Sequence, residues 1–238
     1  MIKVSLIVPT YNEAKNLPLF FEEINKIIDK SKIDLEYIVV DDNSPDGTGQ
    51  VAEQLKTQYP IKIIHRAGKL GLGTAVIEGF KLSDREIIGV MDADLSHDPS
   101  ILNQLIGSFE QGYDIAIGSR FEEGSVVENW TISRMLISKS GVGLARLITH
   151  TKDPLSGYFF LKRQVIAGLN LKTTGYKILL EILVKGKYDK ILELPYSFRM
   201  RRFSTSKLNY KEYVLFIGQL MVYSDYTLFN MLRYGRRR

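Results

Sequence analysis

The 238-residue chain contains no cysteine, which excludes disulfides and thiolate metal sites and leaves its compartment open. It also lacks a basic N-terminal stretch followed by a long apolar core and a small-residue cleavage site. It opens instead on the strand-like Lys3-Val4-Ser5-Leu6-Ile7-Val8, so no secretory leader is expected. The sequon Asn129-Trp130-Thr131 is then expected to be a chance match. No internal repeat, low-complexity tract or clear linker interrupts the chain. A clean membrane span is missing too, since a spanning helix needs ~20 predominantly apolar residues. The best stretch, between Glu212 and Arg233, contains Asp225 together with Gln219, Ser224 and Asn230. A charge near a helix centre costs at least ~2.5 kcal/mol on insertion scales. An amphipathic helix lying in a membrane interface, anchored by Arg233 and Arg236–Arg238, suits that stretch better.

What is present describes a globular protein. Hydrophobic residues make up 45% and charged residues 25% of the chain, enough to bury a sizeable core. The net charge of +5 is unevenly spread. From Arg199 to Arg238 nine Lys/Arg (199, 201, 202, 207, 211, 233, 236, 237 and 238) face only Glu212 and Asp225, giving +7. The other 198 residues hold 23 basic and 25 acidic side chains, or −2. A basic tail on a near-neutral body predicts an anionic partner at one end, such as lipid head groups or phosphates. Nucleic acid fits less well, because the loops described next are acidic.

Short apolar runs at residues 4–8, 37–40, 61–64, 87–91 and 114–118 read as buried strands. Between them lie amphipathic helices, the clearest carrying Leu17, Phe20, Phe21, Ile24, Ile27 and Ile28 at spacings of three and four. This alternation predicts an α/β fold with a mostly parallel, twisted sheet covered on both faces by helices. Beyond Arg120 the pattern is less regular. Residues 132–148 are amphipathic and basic, but Gly141 and Gly143 weaken the case for one continuous helix. Strands are expected at 158–161 and 191–196, and a buried helix at 176–184 carrying Glu181, which is open between a paired structural carboxylate and a site residue.

Ligands of parallel sheets bind beyond the carboxyl ends of the strands. Four polar segments follow strand ends here: 9–13, 41–46, 66–71 and 92–97. No G-x-G-x-x-G follows the first strand, which argues against a Rossmann dehydrogenase. In Asp92-Ala93-Asp94 two carboxylates straddle one small residue. Hard cations such as Mg²⁺ and Mn²⁺ take oxygen ligands, often one or two carboxylates plus substrate phosphates. Such a pair is, alone, also what a solvated turn looks like; its three companion loops favour a metal-nucleotide site.

The segments Ile7-Val8-Pro9-Thr10-Tyr11-Asn12-Glu13, Val39-Val40-Asp41-Asp42-Asn43-Ser44-Pro45-Asp46-Gly47-Thr48, residues 68–75 and Met91-Asp92-Ala93-Asp94-Leu95-Ser96-His97 occur in the order seen in GT-A glycosyltransferases of family 2, which the chain resembles. Gly118-Ser119-Arg120, Asp153-Pro154-Leu155-Ser156-Gly157 and Ser206-Lys207-Leu208 narrow the resemblance to the dolichol-phosphate mannose synthases, over roughly residues 3–210. It implies a GT-A domain at 1–208 and a membrane-associating amphipathic, basic segment at 209–238. It further implies inverting, Mg²⁺- or Mn²⁺-dependent transfer of mannose from GDP-mannose to dolichyl (polyprenyl) phosphate. The place would be the cytoplasmic face of a plasma or ER membrane, with room for a membrane-anchoring partner subunit.

Carried over by motif, Pro9, Tyr11, Glu13 and Asp42 would hold the guanosine, Asp42 against the base, with Lys69 nearby. Asp94 would bind the metal and Asp92 the sugar or metal. Some relatives place a further ligand, Gln, where this chain has Ser96. Arg120, Arg134 and Ser138 would clamp the acceptor phosphate, with Arg201 and Lys207 near the phosphates; the usual Gly ahead of the Ser-Lys pair is Ser204 here. A phosphate monoester has a second pKa of about 6 and is largely a dianion near neutrality. No protein base is therefore expected, and His97 reads as a rim or turn residue. The rival readings are a UDP-glucose-dependent polyprenyl-phosphate glucosyltransferase on the same scaffold and a catalytically silent, membrane-bound nucleotide-sugar binder.

Overall fold

The structure is a computed structural model that describes residues 1–128, 131–172, 177–200, 216–224 and 226. Its centre is a seven-stranded sheet. Strand β1 (Ile2–Thr10) lies between β2 (Ile33–Asp41) and β4 (Ile87–Val90), with β3 (Ile61–His65) beyond β2, all parallel. On the other side β7 (Phe159–Lys162) runs antiparallel between β4 and β5 (Ile115–Ser119), and β8 (Ile191–Pro195) closes the sheet parallel to β5. Six strands therefore end on one rim, as the alternation of apolar runs and amphipathic helices predicts.

Alternation along each strand splits the core into two layers. On one face Val4, Leu6 and Val8 of β1 meet Phe20, Phe21 and Ile24 of α1 (Leu17–Ile27), Ala52 of α2 (Thr48–Leu55) and Leu105 of α4 (Leu102–Gly107). On the other, Ile7, Ile38 and Ile88 meet Val76 and Phe80 of α3 (Leu72–Leu82) and Ile182 of α7 (Ile178–Lys185). A third cluster joins Val142 and Ala145 of α5 (Ile132–Arg146) to Leu180 and Val184 of α7 and to Phe216, Leu220 and Tyr223. Residues 216–224 are helical and turn that apolar edge onto the domain while Met221 and Val222 stay exposed. Among the described residues no helix is long and apolar enough to cross a membrane. Helix α5 is continuous through Gly141 and Gly143, capped by the Thr131 hydroxyl accepting from Arg134 N. Short α6 (Arg163–Ile166) follows β7.

A two-stranded sheet, β6 (Val126–Val127) with β9 (Ser197–Phe198), ties the second half of the chain to the rim. Phe198 forms a β-bridge with His97, and Arg199 N donates to Ser96 O at 2.8 Å. The loop after β4 is thus held by backbone bonds from about a hundred residues downstream in the chain, which no local pattern announces.

Candidate active site

On the first side of the rim, the loops after β1, β2 and β3 bind one another. Asp42 ties the loop after β2 to the loop after β3. Its Oδ1 pairs with Arg66 and its Oδ2 accepts from Gly71 N at 2.9 Å. Arg66 also reaches Glu78 and Thr74. Gly71 sits at φ +100°, a backbone conformation that L side chains rarely adopt, and so turns its N–H onto Asp42. Asp41 accepts from the Ser44 hydroxyl at 2.5 Å and from Ser44 N at 3.2 Å, and Ser44 Oγ takes Asn12 N at 3.0 Å. Asp46 accepts from Ala14 N at 3.1 Å, while Thr48 Oγ1 takes Glu13 N at 2.9 Å. The ammonium of Lys69 stands 4.0 Å over the Tyr11 ring, a cation–π contact on the open side of these loops. Pro9 is buried at the end of β1, paired with Val40. Glu13 accepts from Asn16 Nδ2 at 2.6 Å, and its carbonyl receives the first N–H groups of α1.

The loop after β4 is turned by its own acids. Asp94 Oδ1 accepts from Ser96 N at 3.0 Å and from the Ser96 hydroxyl at 2.5 Å, while Leu95 takes φ +63°. Ser96 is fully buried and its hydroxyl serves Asp94. His97 Nδ1 accepts from Asp92 N at 3.3 Å, and its ring packs with Tyr158, Tyr196 and Phe198. This histidine is a buried brace under the loop. A Cβ at Gly157 would stand 3.3 Å from Asp92 Oδ2 and 3.5 Å from His97 Cε1, so only glycine leaves that side of Asp92 uncrowded.

The imidazole beside the two carboxylates uses its Nδ1 to accept from Asp92 N, and the carboxylate oxygens of Asp92 and Asp94 are a hard donor set that fits Mg²⁺ or Mn²⁺. Among the described residues no cluster of three acidic, histidine or cysteine side chains forms, so further ligands would be phosphate and water oxygens.

Arg120, at the end of β5, is held by Asp153 through a two-pronged pair, Nε–Oδ2 and Nη2–Oδ1 both at 2.8 Å. Asp153 also takes Arg120 N at 3.0 Å and is itself fully buried. Burial alone would lower the Arg120 pKa; the Asp153 carboxylate outweighs it and holds the guanidinium charged, with Asp92 adding to the effect. Glu193 of β8 fixes the turn that carries Asp153, accepting from Lys152 N at 2.6 Å and Asp153 N at 2.9 Å. Desolvation pushes the Glu193 pKa up against those two bonds.

Arg134 and Ser138 lie one turn apart, half-buried, near the start of α5. Arg201 and Lys207 lie outside the described residues. The structure thus gathers Asp42, Tyr11 and Lys69 at one end of the rim and Asp92, Asp94 and Arg120 at the other. Glu181 is a buried structural carboxylate: it pairs with Lys185 and accepts from Lys172 N at 3.1 Å. Sequence reasoning quoted Asp153 only inside a motif, and it missed Tyr196 and Glu193. Asp153 was signalled by Asp-Pro-x-Ser-Gly, whereas nothing local marks the other two. A shallow cleft of about 770 Å³, lined in part by Lys3, Arg85, Phe109 and Lys162, lies at the opposite ends of the strands and holds none of these groups.

The sheet order, with one antiparallel strand beside β4, and the acid-rich loop at its end define a GT-A-type α/β protein. The glycosyl transferase family 2 model matches residues 5–169. A dolichol-phosphate mannosyltransferase of Pyrococcus furiosus is 45% identical over 227 residues, covering 92% of this chain and 64% of that protein. A polyprenol monophosphomannose synthase of Mycolicibacterium smegmatis is 33% identical over 216 residues, covering 86% of this chain and 80% of its own length. The chain belongs to glycosyl transferase family 2, in the group of these dolichol- and polyprenol-phosphate mannosyltransferases. It spans 64% of the length of the Pyrococcus furiosus relative. The fold matches glucosyl-3-phosphoglycerate synthase of Mycobacterium tuberculosis, solved with Mn²⁺, UDP-glucose and phosphoglyceric acid, with a TM-score of 0.69 at 17% identity, covering 94% of this chain and 80% of that one.

Proposed function

We propose that the chain transfers mannose from GDP-mannose to the phosphate of dolichyl or another polyprenyl phosphate, with inversion, using Mg²⁺ or Mn²⁺ at the cytoplasmic face of a membrane. The observation that supports this reading is that Asp92 and Asp94, after β4, and a charge-locked Arg120, after β5, follow strands that end on the same rim. The names of the relatives support mannose and a lipid phosphate; GDP as the carrier of the mannose is what the family resemblance implies. Asp92 and Asp94 would hold the cation, which neutralises charge developing on the leaving diphosphate. Tyr11, Lys69 and the braced loops after β1 to β3 would seat the nucleoside. Arg120, aimed by Asp153, would receive the acceptor phosphate with Arg134 and Ser138.

An acceptor phosphate oxygen then bonds to the anomeric carbon as the bond to the diphosphate oxygen breaks. The electron pair leaves with GDP. No protein base is needed, because the acceptor is already ionised, and His97 is engaged in holding Asp92.

The test is transfer of radiolabelled mannose from GDP-mannose into the organic phase with dolichyl phosphate. We expect it to require a divalent cation and to fall at least about 100-fold in Asp94→Ala, in line with loss of electrostatic stabilisation at a transition state. Absence of transfer to any polyprenyl phosphate by the wild-type chain overturns the reading. A thermal shift with UDP-glucose and none with GDP-mannose would favour the glucosyltransferase instead.

A further inference from the structure

Once the core layers are known, Glu193 stands out in its strand. β8 reads Ile-Leu-Glu-Leu-Pro; Leu192 and Leu194 pack onto the first layer and Ile191 onto the second. Two-residue alternation puts Glu193 on the side of Ile191, where an apolar residue would continue the layer. A carboxylate is costly there. Burial pushes its pKa up, and the carboxylates of Asp153 and Glu122 push the same way. A charge on an edge strand commonly guards the edge by facing solvent. This one is half-buried on the edge strand and turned onto two backbone N–H groups.

Those two groups belong to one turn. Glu193 Oε2 accepts from Lys152 N at 2.6 Å and Oε1 from Asp153 N at 2.9 Å. From the other side Arg146 of α5 donates through Nε to Lys152 O at 2.9 Å. The Asp153 carboxylate takes Arg120 N at 3.0 Å and grips the guanidinium at two points, each 2.8 Å. Parallel pairing of β5 with β8 sets Glu193 beside Ile117, three residues before Arg120. A chain of hydrogen bonds thus runs from the edge strand to the cation on the rim. The Asp153–Arg120 pair by itself fixes only how its two members face each other. Where the guanidinium stands on the rim depends on where the turn stands against the sheet, and Glu193 joins the two.

We infer that Glu193 is a positioning residue: by holding the turn at 152–153 it aims Arg120, through Asp153, at the phosphate of the lipid acceptor. The inference rests on the mannosyltransferase reading and deepens it by naming what fixes the acceptor side of the site. The sign of the effect separates positioning from charge. Glu193 adds a negative charge near a site for an anion, so by charge alone its removal would tighten acceptor binding. Positioning predicts the reverse.

Glu193→Gln keeps the size of the side chain and one accepting oxygen, but it turns an NH2 group, a donor, towards one of the two N–H groups. Calorimetric titration of the full chain with a short-chain polyprenyl phosphate should show binding about 5- to 10-fold weaker, the size of one net hydrogen bond. GDP with Mg²⁺ should bind as to wild type, with Tm little changed. KM for the acceptor should rise by the same factor, with kcat less affected. Arg120→Lys keeps the charge but cannot make the two-pronged pair. In that background Glu193→Gln should weaken acceptor binding by less than about twofold, because residues that act through one another are not additive. Unchanged or tighter acceptor binding overturns the inference. So does equal weakening of both ligands with a lowered Tm, and so does full addition of the two losses. A wild-type chain that binds the lipid phosphate but transfers no mannose fails the functional reading alone, and the affinities still decide the role of Glu193. A wild-type chain that binds no lipid phosphate overturns both.

Discussion

Asp42, the acid that the family resemblance places against the nucleotide base, spends both carboxylate oxygens inside the protein, on Arg66 and on Gly71 N. The side chain of Arg66 is 2% exposed and that of Asp42 7%. Removing one partner of a buried pair strands the other charge and typically costs ~3–5 kcal/mol. Arg66→Ala should therefore lower unfolding stability by about 3 kcal/mol in urea titrations. Asp42→Ala combined with it should lose clearly less than the sum of the two single changes, because neither charge is then left alone. Strictly additive losses would mean that the pair is not coupled. Asp114 offers the corresponding test at the far end of the sheet, where it accepts from Lys162 Nζ at 3.0 Å, Asp189 N at 2.9 Å and Lys190 N at 3.2 Å. Burial pushes its pKa up, but these hydrogen bonds together outweigh it and hold the carboxyl below its usual 3.8. A depressed native pKa adds stability that is fully present above the unfolded value and fades as pH falls through the native one. The stability gap between wild type and Asp114→Asn should thus be flat above about pH 5 and shrink below pH 4; a gap that widens in acid would contradict the assignment.

At the scale of elements, α5 shows where local propensity loses to packing. Gly141 and Gly143 read as breaks, yet Val142 and Ala145 between and beyond them sit in a cluster with α7 and residues 216–224. The two glycines differ in their surroundings. A Cβ at Gly141 would meet Phe216 at 3.4 Å, whereas nothing lies within 4 Å of one at Gly143. Gly143→Ala should stabilise the protein by about 0.5–1 kcal/mol, the difference in helix propensity; unfolding by circular dichroism would read it, and a loss would mean that α5 is not a regular helix there. The same contrast separates what was legible from what was not. Strands β1 to β5 are short apolar runs whose two-residue alternation builds both core layers, so their order and the four rim loops could be read directly. The brace under Asp92 and Asp94 could not be read. It depends on His97 meeting Phe198 and on Ser96 O meeting Arg199 N, contacts between residues about a hundred positions apart that leave no periodic trace. Arg120 belongs to both groups: its motif named it, but its fixed charge depends on Asp153, thirty-three positions away.

For the whole molecule, charge and architecture divide along the chain. The region up to residue 198 carries −2 and the stretch from Arg199 to Arg238 carries +7. The sheet places the anionic groups of the rim at its strand ends, while Phe216, Leu220 and Tyr223, within the basic stretch, pack against α5 and α7. Met221 and Val222, exposed at 62% and 64%, face away from that contact, as do Leu136 and Leu147 of the α5 region at 63% and 81%. Exposed apolar side chains in a chain whose last forty residues are strongly basic have the composition of a protein that rests on anionic lipid. Each Lys or Arg near such a membrane contributes about 1 kcal/mol, and that attraction fades within a Debye length. Replacing Arg236, Arg237 and Arg238 together by Gln removes three positive charges without touching the buried contacts of Phe216, Leu220 and Tyr223. Binding to phosphatidylserine-containing vesicles should then weaken by about 100-fold. Uncharged vesicles should show little difference, and wild-type binding should weaken in the same sense as salt is raised. Co-sedimentation measures all three. Equal partition of the two proteins onto anionic vesicles would remove electrostatics as the reason this chain meets a membrane, leaving only the apolar side chains of α5 and of residues 216–224 to hold it there.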